Sequence, residues 1–303
     1  MANITKRLST NVEGNFFVDS TCIDCDTCRQ LAPATFVEDG DYSTVFQQPK
    51  TSKEEFAAFQ ALIACPVGSI GTVKKNPTVL SKAQTSFPLS IEDGVYYVGF
   101  NSEKSFGAHS YFIQHPGGNW LVDSPRYLKQ LVQAFEEFGG IRYIFLSHRD
   151  DVAEAARYAK TFNAIRIIHQ ADAAAMPDAE KIIKGEKAVQ VEKEYRCIPV
   201  PGHTPGSMAL LFKNRFLFSG DHLWWDRGLQ QLGTPQNLVW NNAQLERYIR
   251  KLLDYSFEWV LPGHGERIQL PCSEMKSALE QLIQRRWSAH SVDHYFGDRD
   301  RSD

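Results

Sequence analysis

The chain has 303 residues, with 33 Lys and Arg against 36 Asp and Glu and a formal net charge of -3. That length suits two folded modules, and 43% hydrophobic with 12% aromatic residues excludes global disorder. The near-neutral balance argues against a dedicated nucleic-acid binder. No apolar run approaches the roughly 18 residues that cross a bilayer, and the start, Met1 to Glu13, has no signal-like apolar core. The expectation is a cytoplasmic protein engaging neither membrane nor nucleic acid.

The first 80 residues carry Cys22, Cys25, Cys28 and Cys65, four of the six cysteines, and none of the nine histidines. Within them, 16–18 and 35–38 read as short strands, and Glu38-Asp-Gly-Asp41 as a turn. Phe56, Phe59, Leu62 and Ile63 give 54–64 helical spacing, and Pro66 stops that helix. Residues 81–88 read as a linker. Strands are then predicted at 111–114, 119–123, 143–146, 209–212 and 216–218, and helices at 128–138, 152–162 and 245–253. Ser273 is predicted to cap a last helix striped by Met275, Leu279, Leu282 and Ile283. The end, 293–303, is charged and expected to fray. This mixture predicts sheets inside and helices outside.

Clustered thiols in a cytosolic chain point to metal before disulfides. Cys22-Ile-Asp-Cys25-Asp-Thr-Cys28 lets one tight loop present three sulfurs to one centre, and Cys65-Pro66 supplies a fourth. Four thiolates at these spacings suit an iron–sulfur cube. A structural zinc ion, or bare core thiols, are the alternatives. With Ala32-Pro33, Val37-Glu-Asp-Gly40 and Ala64-Cys-Pro-Val-Gly-Ser-Ile70, the segment 15–75 resembles single-cluster bacterial-type ferredoxins. The position that serves a second cluster in two-cluster ferredoxins is Ala32, so the resemblance implies one 4Fe–4S cluster.

Five later segments place polar ligand types where predicted strands end: Leu121-Val-Asp123, Leu146-Ser-His148-Arg-Asp150-Asp151, Pro201-Gly-His203-Thr-Pro-Gly-Ser207, Phe218-Ser-Gly-Asp221-His222 and Leu261-Pro-Gly-His264-Gly-Glu266. Their order and content resemble the metallo-β-lactamase fold superfamily over roughly 90–270. The resemblance implies an α+β chain: a ferredoxin-like module over 1–80, the linker, and an αβ/βα four-layer sandwich over 89–303. It also implies one divalent ion, iron or zinc, with ligands drawn from His148, Asp150, His203, Asp221 and His264. The family's run Thr-His-x-His-x-Asp-His departs here, because Asp150 replaces the second His while Val152 and Ala153 replace the Asp and His of the second metal. Neither apolar side chain offers a lone pair, so a dinuclear zinc centre is not expected.

Three functions stay open on these residues. A hydrolase would use one ion, with Asp150 or Asp151 taking the proton from water. An oxidoreductase would pass electrons from the cluster to a mononuclear iron on His148, His203 and Asp221, a two-His, one-carboxylate set; within the superfamily that set resembles the persulfide dioxygenases. A redox sensor would carry the cluster beside a degenerate site. The hydrolase reading ranks first by family weight, with a small-molecule substrate and a redox partner protein as expected partners. His109, Trp224, Trp225 and Trp240 read as packing or rim, Cys197 and Cys272 as buried thiols, and Arg285-Arg286 as a solvated face.

Overall fold

A computed structural model describes residues 2–288; the tail 293–303, expected to fray, lies outside the described residues. The chain divides into two compact units. One runs to Ile168 and includes Ala173–Ile182; the other is formed by His169–Asp172 and the chain from Ile183 on.

The first unit opens with β1 (Phe16–Val18), α1 (Thr27–Leu31), β2 (Phe36–Asp39), β3 (Tyr42–Val45), α2 (Ser52–Ala64), β4 (Ile70–Thr72) and α3 (Pro77–Thr85). β1 pairs antiparallel with β4, and β2 with β3. The buried Asn11 amide joins these ribbons: its Nδ2 donates to Val18 O at 2.9 Å, and its Oδ1 accepts from Val18 N at 2.9 Å and Val45 N at 3.1 Å. α2 begins at a capping box between Thr51 and Glu54 and ends at Cys65, because Pro66 has no N–H to continue it. Its buried face sets Phe59 edge-on to Phe16, ring centroids 5.0 Å apart; burying each such ring stabilises by roughly 1.5–3 kcal/mol.

The linker expected over 81–88 is largely helical. Asn76 caps α3 with Pro77 in its first turn, so residues 81–85 are its closing turns. Only 86–88 connect it onward.

The same unit continues into a seven-stranded sheet with strand order β11-β10-β9-β8-β7-β6-β5. Its strands are β5 (Leu89–Glu92), β6 (Val95–Tyr97), β7 (Tyr111–Ile113), β8 (Trp120–Val122), β9 (Tyr143–Phe145), β10 (Ile165–His169) and β11 (Lys181–Ile183). β5 to β8 form an antiparallel meander; β8, β9 and β10 are parallel. The parallel steps need crossovers, which carry α4 (Lys129–Glu137) and α5 (Ala155–Phe162). Every residue of β7, β8 and β9 is buried.

The second unit contains β12 (Val189–Glu192), β13 (Tyr195–Pro199), β14 (Met208–Phe212), β15 (Phe216–Gly220), β16 (Trp224–Asp226), β17 (Gln231–Gly233), α6 (Asn242–Lys251), β18 (Trp259–Pro262), β19 (Ile268–Gln269) and α7 (Cys272–Ile283). Six strands form one sheet in the order β12-β13-β14-β15-β18-β19, and β16 and β17 pair separately. Leu245 and Ile249 of α6 and Met275, Leu279 and Leu282 of α7 share one core with Leu211, Leu217 and Val260. Three expectations are corrected here. Pro271, not Ser273, holds the cap position of α7, without a side-chain bond. Cys197 is buried but Cys272 is exposed. Arg285 and Arg286 donate to the carbonyls of Leu232 (3.0 Å) and Pro235 (2.7 Å), tying the last helix down rather than forming a free face.

Candidate metal centres

The cysteine loop is shaped by two left-handed residues, Asp24 (φ 53°) and Asp26 (φ 67°). Asp tolerates that region better than most side chains. Arg29 holds both carboxylates, with Nη1 2.5 Å from Asp24 Oδ1 and Nε 2.7 Å from Asp26 Oδ1. The two reversals turn Cys22, Cys25 and Cys28 onto one cavity, which Cys65 joins from the end of α2. The cavity holds about 290 Å³ of atom-free space, and its remaining lining is uncharged, including Val18, Ile23, Val67 and Ile70. Polar groups lie against the sulfurs: Ser43 N donates to Cys22 Sγ at 3.5 Å, Thr27 Oγ1 lies 3.4 Å from Cys25 Sγ and Ser69 Oγ 3.4 Å from Cys65 Sγ. Burial pushes the Cys25 thiol up to about 12 and Cys28 well above its ordinary value. Four thiols around an uncharged cavity fit a soft, thiolate-held centre, whose binding must release their protons.

In the first unit, His148 follows β9 and is buried, as is Asp151, while Asp150 is exposed. His148 Nε2 lies 3.8 Å from Asp150 Oδ2, and Nδ1 lies 3.7 Å from Asp151 Oδ2 and 2.9 Å from Ser147 Oγ. Asp123 steers this turn from the end of β8: held at φ 56°, it accepts Ser147 N–H at 2.8 Å. His148, Asp150 and Asp151 are therefore brought together.

In the second unit, His203 leaves β13 in a loop pinned from two sides. Asp172 accepts from Thr204 Oγ1 at 2.5 Å and from Gly206 N at 3.2 Å. On the other side, Asn241 N donates to Gly202 O and Trp240 N to His203 O, both at 3.1 Å. Gly202 is required there, since a Cβ would stand 2.7 Å from the Leu245 Cα of α6. His203 Nδ1 lies 2.7 Å from Leu238 O. A carbonyl only accepts, so Nδ1 carries the proton and Nε2 keeps its lone pair.

Asp221 and His264 come from neighbouring parallel strands. β15 and β18 pair with Gly220 opposite Pro262, so both residues emerge at carboxyl ends of adjacent strands, where ligand sites of such sheets form. Asp221 Oδ2 lies 3.9 Å from His203 Nε2 and 3.9 Å from His264 Nε2. These are too long for hydrogen bonds, and each is a separation that two donors about 2.0–2.2 Å from one ion can span. Among the described residues His203 and His264 do not fall in one ligand group with Asp221, so the carboxylate faces each imidazole separately. Gly265 (φ 80°) lets the strand end turn under Trp224, whose Cγ a Cβ would approach to 2.5 Å. His222 is buried, burial and the neighbouring His203 push it down to about 3, and neither ring nitrogen has a hydrogen-bond partner among the described residues.

Residues 18–72 match the family model described as the 4Fe-4S single cluster domain of Ferredoxin I. The structure of VMB-1 is similar with a TM-score of 0.52 at 16% identity, covering 66% of this chain and 96% of that one. A metallo-beta-lactamase family protein from Thermus thermophilus gives 0.49 at 16% identity, over 69% and 85%. The chain joins a single-cluster ferredoxin domain to a metallo-β-lactamase fold. The ferredoxin match implies one 4Fe–4S cluster. In sequence, the chain is similar to the uncharacterized protein YobT of Bacillus subtilis (strain 168), 25% identical over 211 residues, 58% of this chain and 91% of the relative. Hydroxyacylglutathione hydrolase of Acidiphilium cryptum (strain JF-5) is 29% identical over 119 residues, 38% of this chain and 49% of the relative. Among the described residues no helix is long and apolar enough to cross a membrane.

Leu238 and Asp172 were not legible as parts of this site. One acts through a backbone carbonyl and the other through a loop remote in sequence, and neither leaves a motif.

Proposed function

We propose that the protein is a metal-dependent hydrolase of the metallo-β-lactamase superfamily with an electron-transfer module in cis, acting on a small molecule. The observation that carries this reading is the Asp221 carboxylate facing both His203 Nε2 and His264 Nε2 at 3.9 Å. A divalent ion there supplies Lewis acidity and an acidified water. The chain's own contribution is orientation: Leu238 O fixes the His203 tautomer, and the paired ends of β15 and β18 fix Asp221 beside His264. The resemblance read from the sequence implies His148 and Asp150 as ligands, with Asp150 or Asp151 as proton acceptor; within the first unit, the 3.7 Å approach of Asp151 to His148 supports a shared role for that pair. Similarity to hydroxyacylglutathione hydrolase, a hydrolase by name, supports the reaction class.

The second reading is an oxidoreductase in which the cluster feeds electrons to an iron ion. It is favoured by the two-His, one-carboxylate set of His148, His203 and Asp221 that the sequence implies, which suits iron(II). Metal-loaded protein assayed on thioester and phosphoester probes tests the first reading. Hydrolysis lost in His203→Ala and His264→Ala supports it. Iron in that site with no hydrolysis, and dioxygen uptake instead, overturns it in favour of the second.

A further inference from the structure

The turn between β6 and β7 belongs to the metallo-β-lactamase part of the sequence, yet it lies against the cluster loop within the same unit. Gly107 (φ 87°) makes the closest approach: a Cβ there would stand 2.6 Å from Cys25 Cβ and 3.0 Å from Cys25 Sγ. Only a glycine backbone fits against that ligand. Beside it, Asn101 Nδ2 donates to Gly107 O at 2.7 Å and to Thr27 Oγ1 at 2.9 Å. Asn101 Oδ1 accepts from Tyr97 OH at 3.0 Å.

With Cys25 a thiolate on the cluster, this arrangement admits one proton pattern. The Gly107 carbonyl only accepts, so the amide nitrogen must face it, and the second hydrogen of that nitrogen goes to Thr27. Thr27 Oγ1 is thereby an acceptor on one side and turns its own O–H to the other, where Cys25 Sγ lies 3.4 Å away. A cluster-bound thiolate has no proton and can only accept. Asn101 is fully buried, and Thr27 and Tyr97 are each 1% exposed, so water does not compete.

We propose that Asn101 is a positioning residue for the cluster's reduction potential: from outside the ferredoxin domain, it aims the Thr27 hydroxyl at Cys25 Sγ. One-electron reduction adds one negative charge to the cluster and its sulfurs. A hydroxyl donor to a ligand sulfur stabilises that charge, so it favours the reduced state and raises the potential. The inference rests on the thiolate-held cluster alone, and stands whether or not the second domain turns over substrate.

The test is an EPR-monitored potentiometric titration of the cluster-loaded full chain, prepared anaerobically. Thr27→Val is expected to lower the equilibrium constant for reduction about tenfold, 59 mV for a one-electron couple, while Thr27→Ser keeps the parent potential. Asn101→Leu is expected to shift it in the same direction. The Thr27→Val/Asn101→Leu double variant shifts no further than Thr27→Val, because Asn101 acts through Thr27. A merely structural Asn101 would change cluster yield and leave the potential of the loaded fraction in place. Parent potentials in both single variants, or additive shifts in the double, overturn the proposal. Should Thr27→Val load no cluster, Thr27→Ala removes the same hydroxyl without adding bulk, and is read against the same expectation.

Discussion

His203 and Leu238 are joined by a 2.7 Å hydrogen bond from the imidazole Nδ1 to a backbone carbonyl. Leu238 holds that carbonyl in place from a left-handed conformation, φ 55°, while its own side chain is 84% exposed. A leucine in that region is strained by roughly 1–2 kcal/mol, so the turn must be held by its neighbours, Trp240 N on His203 O and Asn241 N on Gly202 O.

Leu238→Pro forces φ to about -65° and displaces the carbonyl. The expected result is a 10–100-fold loss of affinity for a divalent ion in the second unit, the usual cost of removing an outer-shell partner of a ligating histidine. Leu238→Gly, which accepts the same φ, is expected to keep the affinity. Chelator competition with zinc measures both; a Pro variant binding as tightly as the parent would show that the carbonyl does not orient His203.

Gly202→Ala places a methyl group 2.7 Å from the Leu245 backbone. Backbone cannot swing aside as a side chain can, so the loop or α6 must move. A destabilisation of about 1–3 kcal/mol is expected, read as a lower urea midpoint. A change within about 0.5 kcal/mol would mean the loop yields freely.

Acid should weaken the first unit through Glu180. Two hydrogen-bonding contacts from the buried Arg166 guanidinium, at 2.7 and 3.1 Å, hold the Glu180 carboxyl down to about 2 from its ordinary 4.5. Because the folded value lies below the unfolded one, this stabilisation is complete above pH 4.5 and is lost as pH falls towards 2. Glu180→Gln is expected to lower stability at neutral pH and to flatten the decline across that window. Equal slopes in both proteins would contradict the assignment.

Much of this molecule was readable as text because its chemistry is local. Three cysteines within seven residues can meet on one loop whatever the rest of the chain does, and the α2 stop at Pro66 follows from a missing N–H. The short strands expected at 16–18, 143–146 and 216–218 as apolar runs against turn signals are found at 16–18, 143–145 and 216–220. Other features depend on distant partners. Residues 81–85 look like a polar linker because only Ala83 of that stretch is buried, yet Asn76 and Pro77 start a helix that carries through them. Arg285 and Arg286 looked solvated because the carbonyls they bind belong to the chain around 232–235. Likewise, that Asp123 would hold Ser147 follows from β8 lying beside β9, a pairing the local sequence does not state.

Metal analysis of the anaerobically purified chain decides whether the second unit holds an ion. The expected content is the iron and sulfide of one 4Fe–4S cluster together with one further divalent ion per chain. In His203→Ala and in Asp221→Ala that extra ion disappears while the cluster's visible absorbance stays intact. Cluster iron alone in the parent protein, with no ion removed by either substitution, would contradict it.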